Sequence, residues 1–238
     1  MTELPNSLDD AIAQAQIATQ AAIDAGYTRL QVDFVFPELK PMPIAQQFMT
    51  MFGEKKLKIF FTDAGTAALA KREWSDTPYK IGSLDVAGSR QTTPVEEQVE
   101  PEDEVYLFVS PSAVEVGPVE QICNAAGDRP TILLNARLED VAIVGIGYAA
   151  RQLRTRFLDT IEPCYYLRPL DDQSALRRCY PSGWQVWYAT DGEYQLIAEE
   201  AERPDSERLD EIFTSVLGQQ PRQSFLTKLQ QFLQALGT

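Results

Sequence analysis

The sequence predicts a three-layer α/β fold, and three observations predict it. Over residues 1–170, short apolar segments alternate with stretches whose apolar side chains recur at helical spacing. Between residues 171 and 200, candidate strands follow one another directly and are separated by turn signals. Two amphipathic helices are predicted within residues 205–236. We therefore expect one domain over residues 1–238, with a mainly parallel, Rossmann-like sheet that an antiparallel meander extends at one edge.

The N-terminal elements follow from periodicity and from capping residues. A helix is predicted over residues 7–26, where a serine can cap the start and a glycine can end it. Alternating apolar and polar residues predict a strand over 29–36. A proline and a glycine bound a second helix over 43–53, and the next strand is expected over 57–61.

Asp63 follows the strand over 57–61 and precedes a helical pattern. Its carboxylate can cap that helix, or it can be a ligand-binding group at the carboxyl end of a strand. Capping is the favoured interpretation, because an aspartate there satisfies free helix N–H groups.

An acidic stretch covers residues 96–104, with six acids and no base in nine positions. We expect it to be a hydrated surface loop, because its charges repel one another, and the alternative is an acidic docking segment.

The remaining strands are short and apolar. Buried parallel strands are predicted over 105–109 and 131–134, and a further strand over 164–167 is expected to stop at Arg168-Pro169. The meander is expected to consist of strands over 176–180, 184–189 and 194–198.

Composition excludes several classes of chemistry. The chain has no histidine, so catalysis by Ser-His-Asp or Cys-His groups and imidazole metal sites are excluded. Three cysteines without a C-x-x-C pair argue against a disulfide framework and favour a reducing, cytoplasmic compartment. A net charge of −14 argues against binding to nucleic acid. We expect no metal and no cofactor. We also expect no transmembrane segment, since no apolar run approaches the roughly 20 residues that a spanning helix needs.

Basic residues are concentrated in one part of this acidic chain. Eight of the fourteen arginines lie between residues 129 and 178, against six acids. If the protein binds a phosphate or another acidic group, we expect the site here. The alternative is that these arginines pair with acids elsewhere on the surface.

Gly145 and Gly147 belong to the pattern G-x-G-x-x-A, which binds dinucleotides when it joins a strand to a helix. Its late position in the chain and the lack of an acid about 20 residues downstream favour tight helix packing instead. Arg151 and Arg154 share one face of the following helix, where they could hold a phosphate or simply be exposed.

A second candidate site is the carboxyl-end rim of the predicted sheet. Ligands of parallel sheets bind where the strands end, so polar side chains directly after the strands are expected to meet there. The residues expected at this rim are Glu38, Asp63, Ser110, Ser112, Asn135 and Arg137.

The apolar stripe over residues 221–236 is expected to pack on the sheet, although it could contact a membrane surface or a partner helix.

Several phrases of the sequence resemble one known family. They are LPNSLDDAIAQA, YTRLQVDFVFPELKPMPIA, TDAGTAALAKREW, LFVSPSAVEV, LLNARLEDVAIVGIGYAARQLRTRFLDTIEPCYYLRP and CYPSGWQVW. They are similar to cyanobacterial members of a domain-of-unknown-function family that is shared with chloroplasts. That family includes the plant low photosystem II accumulation factor.

The resemblance implies a non-enzymatic accessory factor for photosystem II assembly, in the cytoplasm or at the thylakoid, with photosystem II subunits or assembly factors as partners. It supplies no catalytic residues. Plant members that are joined to an adenylate kinase domain keep a nucleotide-linked role open. The alternative function is therefore an enzyme or sensor that binds a nucleotide or phosphorylated metabolite at the strand-end rim.

Overall fold

The computed structural model describes residues 3–84, 95–139, 147–190 and 192–217. The helices are α1 (Leu8–Asp24), α2 (Pro41–Phe48), α3 (Ala64–Glu73), α4 (Val116–Ala126), α5 (Tyr148–Arg156) and α6 (Ser206–Leu217). The strands are β1 (Arg29–Phe34), β2 (Leu57–Phe61), β3 (Lys80–Ser83), β4 (Val105–Val109), β5 (Thr131–Leu134), β6 (Glu162–Asp171), β7 (Ser174–Cys179), β8 (Trp184–Thr190) and β9 (Glu193–Glu200).

Within these ranges the strands form one sheet in the order β3-β2-β4-β5-β1-β6-β7-β8-β9. The pairs from β3 to β6 are parallel, and those from β6 to β9 are antiparallel. This confirms the predicted α/β fold with a meander at one edge. The strands β2 and β4 are buried along their whole length, as parallel strands covered on both faces must be.

Helices cover both faces of the sheet. One hydrophobic core joins α1, α2 and α3 to one face, and a second core joins α4 and α5 to the other. A third cluster packs α6 against the meander. The second predicted C-terminal helix, over 221–236, lies outside the described residues, so its membrane contact stays a prediction. No helix of the described ranges has the length and hydropathy that crossing a bilayer requires.

The strand predicted over 164–167 is longer than expected. It does not stop at Arg168-Pro169 but continues as β6 to Asp171. The register with β1 ends at Leu167, and beyond that residue β6 pairs with β7 alone. A proline is tolerated at a position that has only one strand neighbour, because fewer ladder hydrogen bonds depend on its missing N–H.

The acidic stretch over 96–104 is held on the sheet at Glu100 and Asp103, whereas Glu97, Glu102 and Glu104 are exposed, as the predicted surface loop requires. The Lys80 ammonium group lies 2.8 Å from a carboxylate oxygen of Glu100 and 2.9 Å from one of Asp103. Hydrogen bonds from Lys80 and Lys58 lower the pKa of Glu100 to about 2. The Asp103 side chain is buried, with 2% exposure. The prediction did not include the docking of Glu100 and Asp103, because it considered repulsion within the stretch and not the lysines on neighbouring strands.

The guanidinium group of Arg129 also holds the backbone of the same stretch. The Arg129 guanidinium donates hydrogen bonds to the carbonyl oxygens of Glu100 (2.7 Å) and Asp103 (3.1 Å). Lys58 on β2 pairs with Glu100 at 3.1 Å. The acids therefore dock the segment against the sheet edge formed by β2 and β3.

Replacing Asp103 with alanine should lower the free energy of unfolding by about 2 kcal/mol, because it leaves the half-buried Lys80 and buried Lys58 ammonium groups short of a partner. Urea unfolding measures the change. Glu97 lies in the same stretch and is exposed, so Glu97→Ala is the matched control, with an expected change within about 0.5 kcal/mol. Equal losses in both variants would contradict the docked arrangement.

Candidate ligand-binding cleft

The topology creates a crevice between β1 and β5. These strands are adjacent and parallel, but the chain leaves β1 towards α2 on one face and leaves β5 towards α5 on the other. Connections that diverge in this way open a cleft beyond the carboxyl ends of the strands, which is where open α/β sheets bind ligands. A cleft of about 1600 Å³ lies there. Five of the six predicted rim residues line it: Glu38, Ser110, Ser112, Asn135 and Arg137.

Three of these residues have a strained backbone. Glu38 (φ 60°), Ser110 (φ 53°) and Asn135 (φ 52°) are the non-glycine residues of the described ranges that have positive φ. Asparagine tolerates this region, whereas the conformation costs free energy at serine and glutamate. Strain of this kind clusters at functional sites, where the surrounding structure holds it in place.

Asn135 holds the two central strands together at their ends. Its side-chain oxygen accepts a hydrogen bond from the Phe34 N–H at 2.7 Å, and its own N–H donates to the Val32 carbonyl at 2.8 Å. The asparagine therefore continues the β1–β5 ladder past the last regular residue and fixes the cleft floor.

The two serines at the end of β4 differ. Ser112 is committed to a capping box, because its hydroxyl donates to the Glu115 carboxylate at 2.6 Å and accepts from the Val114 N–H. The Ser110 hydroxyl oxygen is buried and has no hydrogen-bond partner among the described residues. A buried hydroxyl without a partner costs stability, so Ser110 adds to the unfavourable features at this end of the sheet.

Asp33 is the main residue that the sequence analysis missed. Its side chain is 9% exposed, lines the cleft and accepts a hydrogen bond from the Gln31 amide at 2.6 Å. Burial raises the pKa of its carboxyl from 3.8 to about 7, although the Gln31 hydrogen bond, the Arg203 guanidinium, the Ala136 N–H and Arg137 favour the ionised form. A carboxyl with this pKa in a cleft is typical of functional sites.

The sequence held a signal for Asp33. Val32 and Phe34 point into the core under α1, so the alternation of β1 places Asp33 on the opposite face. An acid there, in a strand with strands on both sides, is buried and therefore unusual. The alternation was used to predict the strand, and the surroundings of its polar face were not considered.

A row of side chains extends the cleft floor across the meander. Asp33 lies beside Tyr166 in the strand register, Tyr166 beside Arg178, and Arg178 beside Trp184. The Arg203 guanidinium donates to the Tyr166 hydroxyl at 2.7 Å and lies 4.5 Å from the centre of its ring. This row is thus held by cation–π contacts as well as by the sheet.

The arginines of the cleft fall into two groups. Arg178 is paired with the Glu162 carboxylate, and Arg203 is stacked on Tyr166. Arg137 and Arg168 also line the cleft and are exposed, and neither forms a salt bridge within the part of the chain that the structure describes. Their guanidinium groups can hold a phosphate or carboxylate by paired hydrogen bonds.

Asp63 does not line the cleft. Its carboxylate caps α3, accepting hydrogen bonds from the Thr66 N–H at 2.8 Å and the Thr66 hydroxyl at 2.7 Å, and these bonds lower its pKa. The capping interpretation is confirmed.

The described part of the glycine pattern, Gly147 to Ala150, does not line this cleft. Gly145 lies outside the described residues. Gly147 precedes α5, and a side chain at its position would meet nothing within 4 Å, so helix packing does not require a glycine there. Arg151 is exposed and Arg154 half-buried on α5, and neither lines the cleft. No group of acids and cysteines suited to a metal ion occurs within the described ranges.

Residues 5–211 match the family described as a domain of unknown function, DUF1995. The chain belongs to the DUF1995 family. The match confirms the resemblance seen in the sequence, and it contains every strand of the sheet and every residue of the cleft discussed above. The cleft is therefore part of the DUF1995 domain itself.

Replacing Asp33 with asparagine should change how stability depends on pH. The folded state binds more protons than the unfolded state between about pH 4 and 7, because the pKa of Asp33 is raised from 3.8 to about 7. The free energy of unfolding should therefore fall as pH rises through this window, by at most about 1.4 kcal/mol per pH unit from this group.

Asp33→Asn should remove that contribution, so the variant gains stability relative to the wild type as pH rises. Urea unfolding at a series of pH values measures the difference. Asp159 is an exposed acid of the same cleft, and Asp159→Asn should leave the pH dependence unchanged. If the free energy of unfolding changed with pH in the same way in the wild type and in Asp33→Asn, the pKa of Asp33 would not be raised.

Proposed function

We propose that this DUF1995 protein binds a small phosphorylated metabolite or nucleotide in the cleft between β1 and β5. The observation that carries the proposal is that Arg137 follows β5, and Arg168 lies just beyond the parallel register of β6 with β1, without a salt-bridge partner among the described residues. Guanidinium groups in that position are suited to bind a phosphate.

The cleft lining carries four arginines and six acids, so the support for an anion comes from the two arginines without a salt-bridge partner among the described residues and not from the overall charge. At physiological ionic strength, exposed charges act over roughly 8 Å, so the groups that line the cleft decide what enters it. Arg137 and Arg168 are the exposed arginines that line the cleft. The cleft volume of about 1600 Å³ leaves room for a small phosphorylated metabolite and for a nucleotide.

Thermal-shift measurements with nucleotides, dinucleotides, sugar phosphates and inorganic sulfate test this function. A ligand at about 100 times its dissociation constant should stabilise the protein by roughly 2.7 kcal/mol. Arg137→Ala and Arg168→Ala should each weaken binding roughly tenfold or more, because each removes a charge-assisted hydrogen bond.

Arg151→Ala is the matched control, since Arg151 is an exposed arginine outside the cleft that the glycine pattern would have used. It should bind as the wild type does. A loss in Arg151→Ala that equals the loss in the cleft variants would move the site to α5. The absence of a shift with every compound would contradict the proposed function.

We propose a separate, second role in photosystem II assembly, and the support for it is the sequence resemblance. The expected result is that the tagged full chain recovers photosystem II precursors or assembly factors from solubilised thylakoids. Recovery that is no greater than from an unrelated acidic protein of similar charge would argue against this role.

A further inference from the structure

The acidic side chains that line the cleft differ in burial. Asp33 is buried on the floor, whereas four others are exposed and a fifth is half-buried and paired with Arg178. The exposed acids are Glu38, Glu139, Asp159 and Glu202, and the paired acid is Glu162. An anion that enters the cleft therefore meets one acid that water cannot screen.

Asp33 and the guanidinium groups share one space. Asp33, Arg137 and Arg203 line the same cleft, and both guanidinium groups favour the ionised form of Asp33, so an anion held by Arg137 shares this space with the carboxyl. An ionised Asp33 would repel that anion at low dielectric, whereas a protonated carboxyl would donate a hydrogen bond to it. The protonation of the Asp33 carboxyl thus decides whether it weakens or strengthens anion binding.

We propose that Asp33 contacts the bound anion as a protonated carboxyl, so that an anion that binds when Asp33 is ionised takes up one proton with it. This inference rests on the proposed function and specifies how that site is regulated. The proton comes from solvent, forms the O–H bond of Asp33, and returns to solvent when the anion leaves. The ligand class that follows is an anion that presents a hydrogen-bond-accepting oxygen to Asp33, as a phosphate or sulfate group does.

The pH range follows from the free protein. The pKa of Asp33 is raised to about 7, and a bound anion raises it further. Below this pKa the carboxyl already carries its proton, so affinity should not change with pH. Above it, binding requires uptake of a proton, and affinity should fall by up to about tenfold per pH unit.

Other titratable groups line the cleft around Asp33 on each neighbouring element. They are Glu38 after β1, Arg137 and Glu139 after β5, Asp159 before β6, Glu162, Tyr166 and Arg168 on β6, Arg178 on β7, and Glu202 and Arg203 after β9. Arginines keep their charge at every relevant pH. The acids other than Asp33 are exposed or paired, which makes a variant of one of them a suitable control.

Sulfate is the probe, because it imitates a phosphate group but does not itself take up protons near neutral pH. Its dissociation constant is measured by thermal-shift titration between about pH 5.5 and 8.5 for the wild type, Asp33→Asn and Asp159→Asn. The wild type and Asp159→Asn should bind roughly tenfold more weakly at about pH 8 than at pH 6. Asp33→Asn should bind equally at both, because its amide donates a hydrogen bond at any pH.

Calorimetry of the wild type in two buffers that differ in ionisation enthalpy counts the protons directly and needs no variant. Uptake that approaches one proton per sulfate above pH 7 supports the proposal. Sulfate binding without proton uptake, or a pH dependence that persists in Asp33→Asn, would overturn it and leave the proposed function intact. A wild type that binds neither sulfate nor any compound of the panel would overturn both.

Discussion

The parallel pairing of β1 with β5 is the constraint on which the rest of the structure depends. The two strands lie side by side at the centre of the sheet, and right-handed crossovers carry the chain away from them on opposite faces. No connection can then cover the space beyond both strand ends, so a crevice results from chirality and strand order alone. Asn135 completes this arrangement, since its side chain satisfies the first backbone N–H that β5 leaves unpaired in β1.

The cleft combines features that cost stability. Asp33 is buried, three non-glycine residues have positive φ, and the Ser110 hydroxyl lacks a partner among the described residues. The large apolar cores on both faces of the sheet can compensate for such costs, but nothing in folding alone requires them to occur in one place. Their coincidence at the switch point supports the proposal that these residues serve ligand binding.

The fold was more predictable from the sequence than the cleft was. Periodicity and capping residues are local, and they predicted the order of elements and the role of Asp63, whose partners lie within three residues. The docked acidic segment and Asp33 depend on partners that are distant in the chain: Lys58 and Arg129 for the segment, and Arg203 for Asp33. Charge counted along the sequence did not predict the docking of the segment, because it leaves out the lysines on neighbouring strands.

Of the three arginines that the sequence singled out, Arg137 lines the cleft, whereas Arg151 and Arg154 do not. The concentration of arginines between residues 129 and 178 favoured an anion site there, and the same range supplies Arg137 and Arg168 to the cleft. However, Arg156 pairs with Glu120, and Arg177 is fully buried beneath α1, where it hydrogen-bonds Gln14 and Gln185. An arginine can bind an anion only if it lies on the cleft face of the sheet and its side chain is not buried. The cleft combines the ends of β1 and β5 with Arg203, which is distant in the chain. It can therefore be identified when the strand register is known.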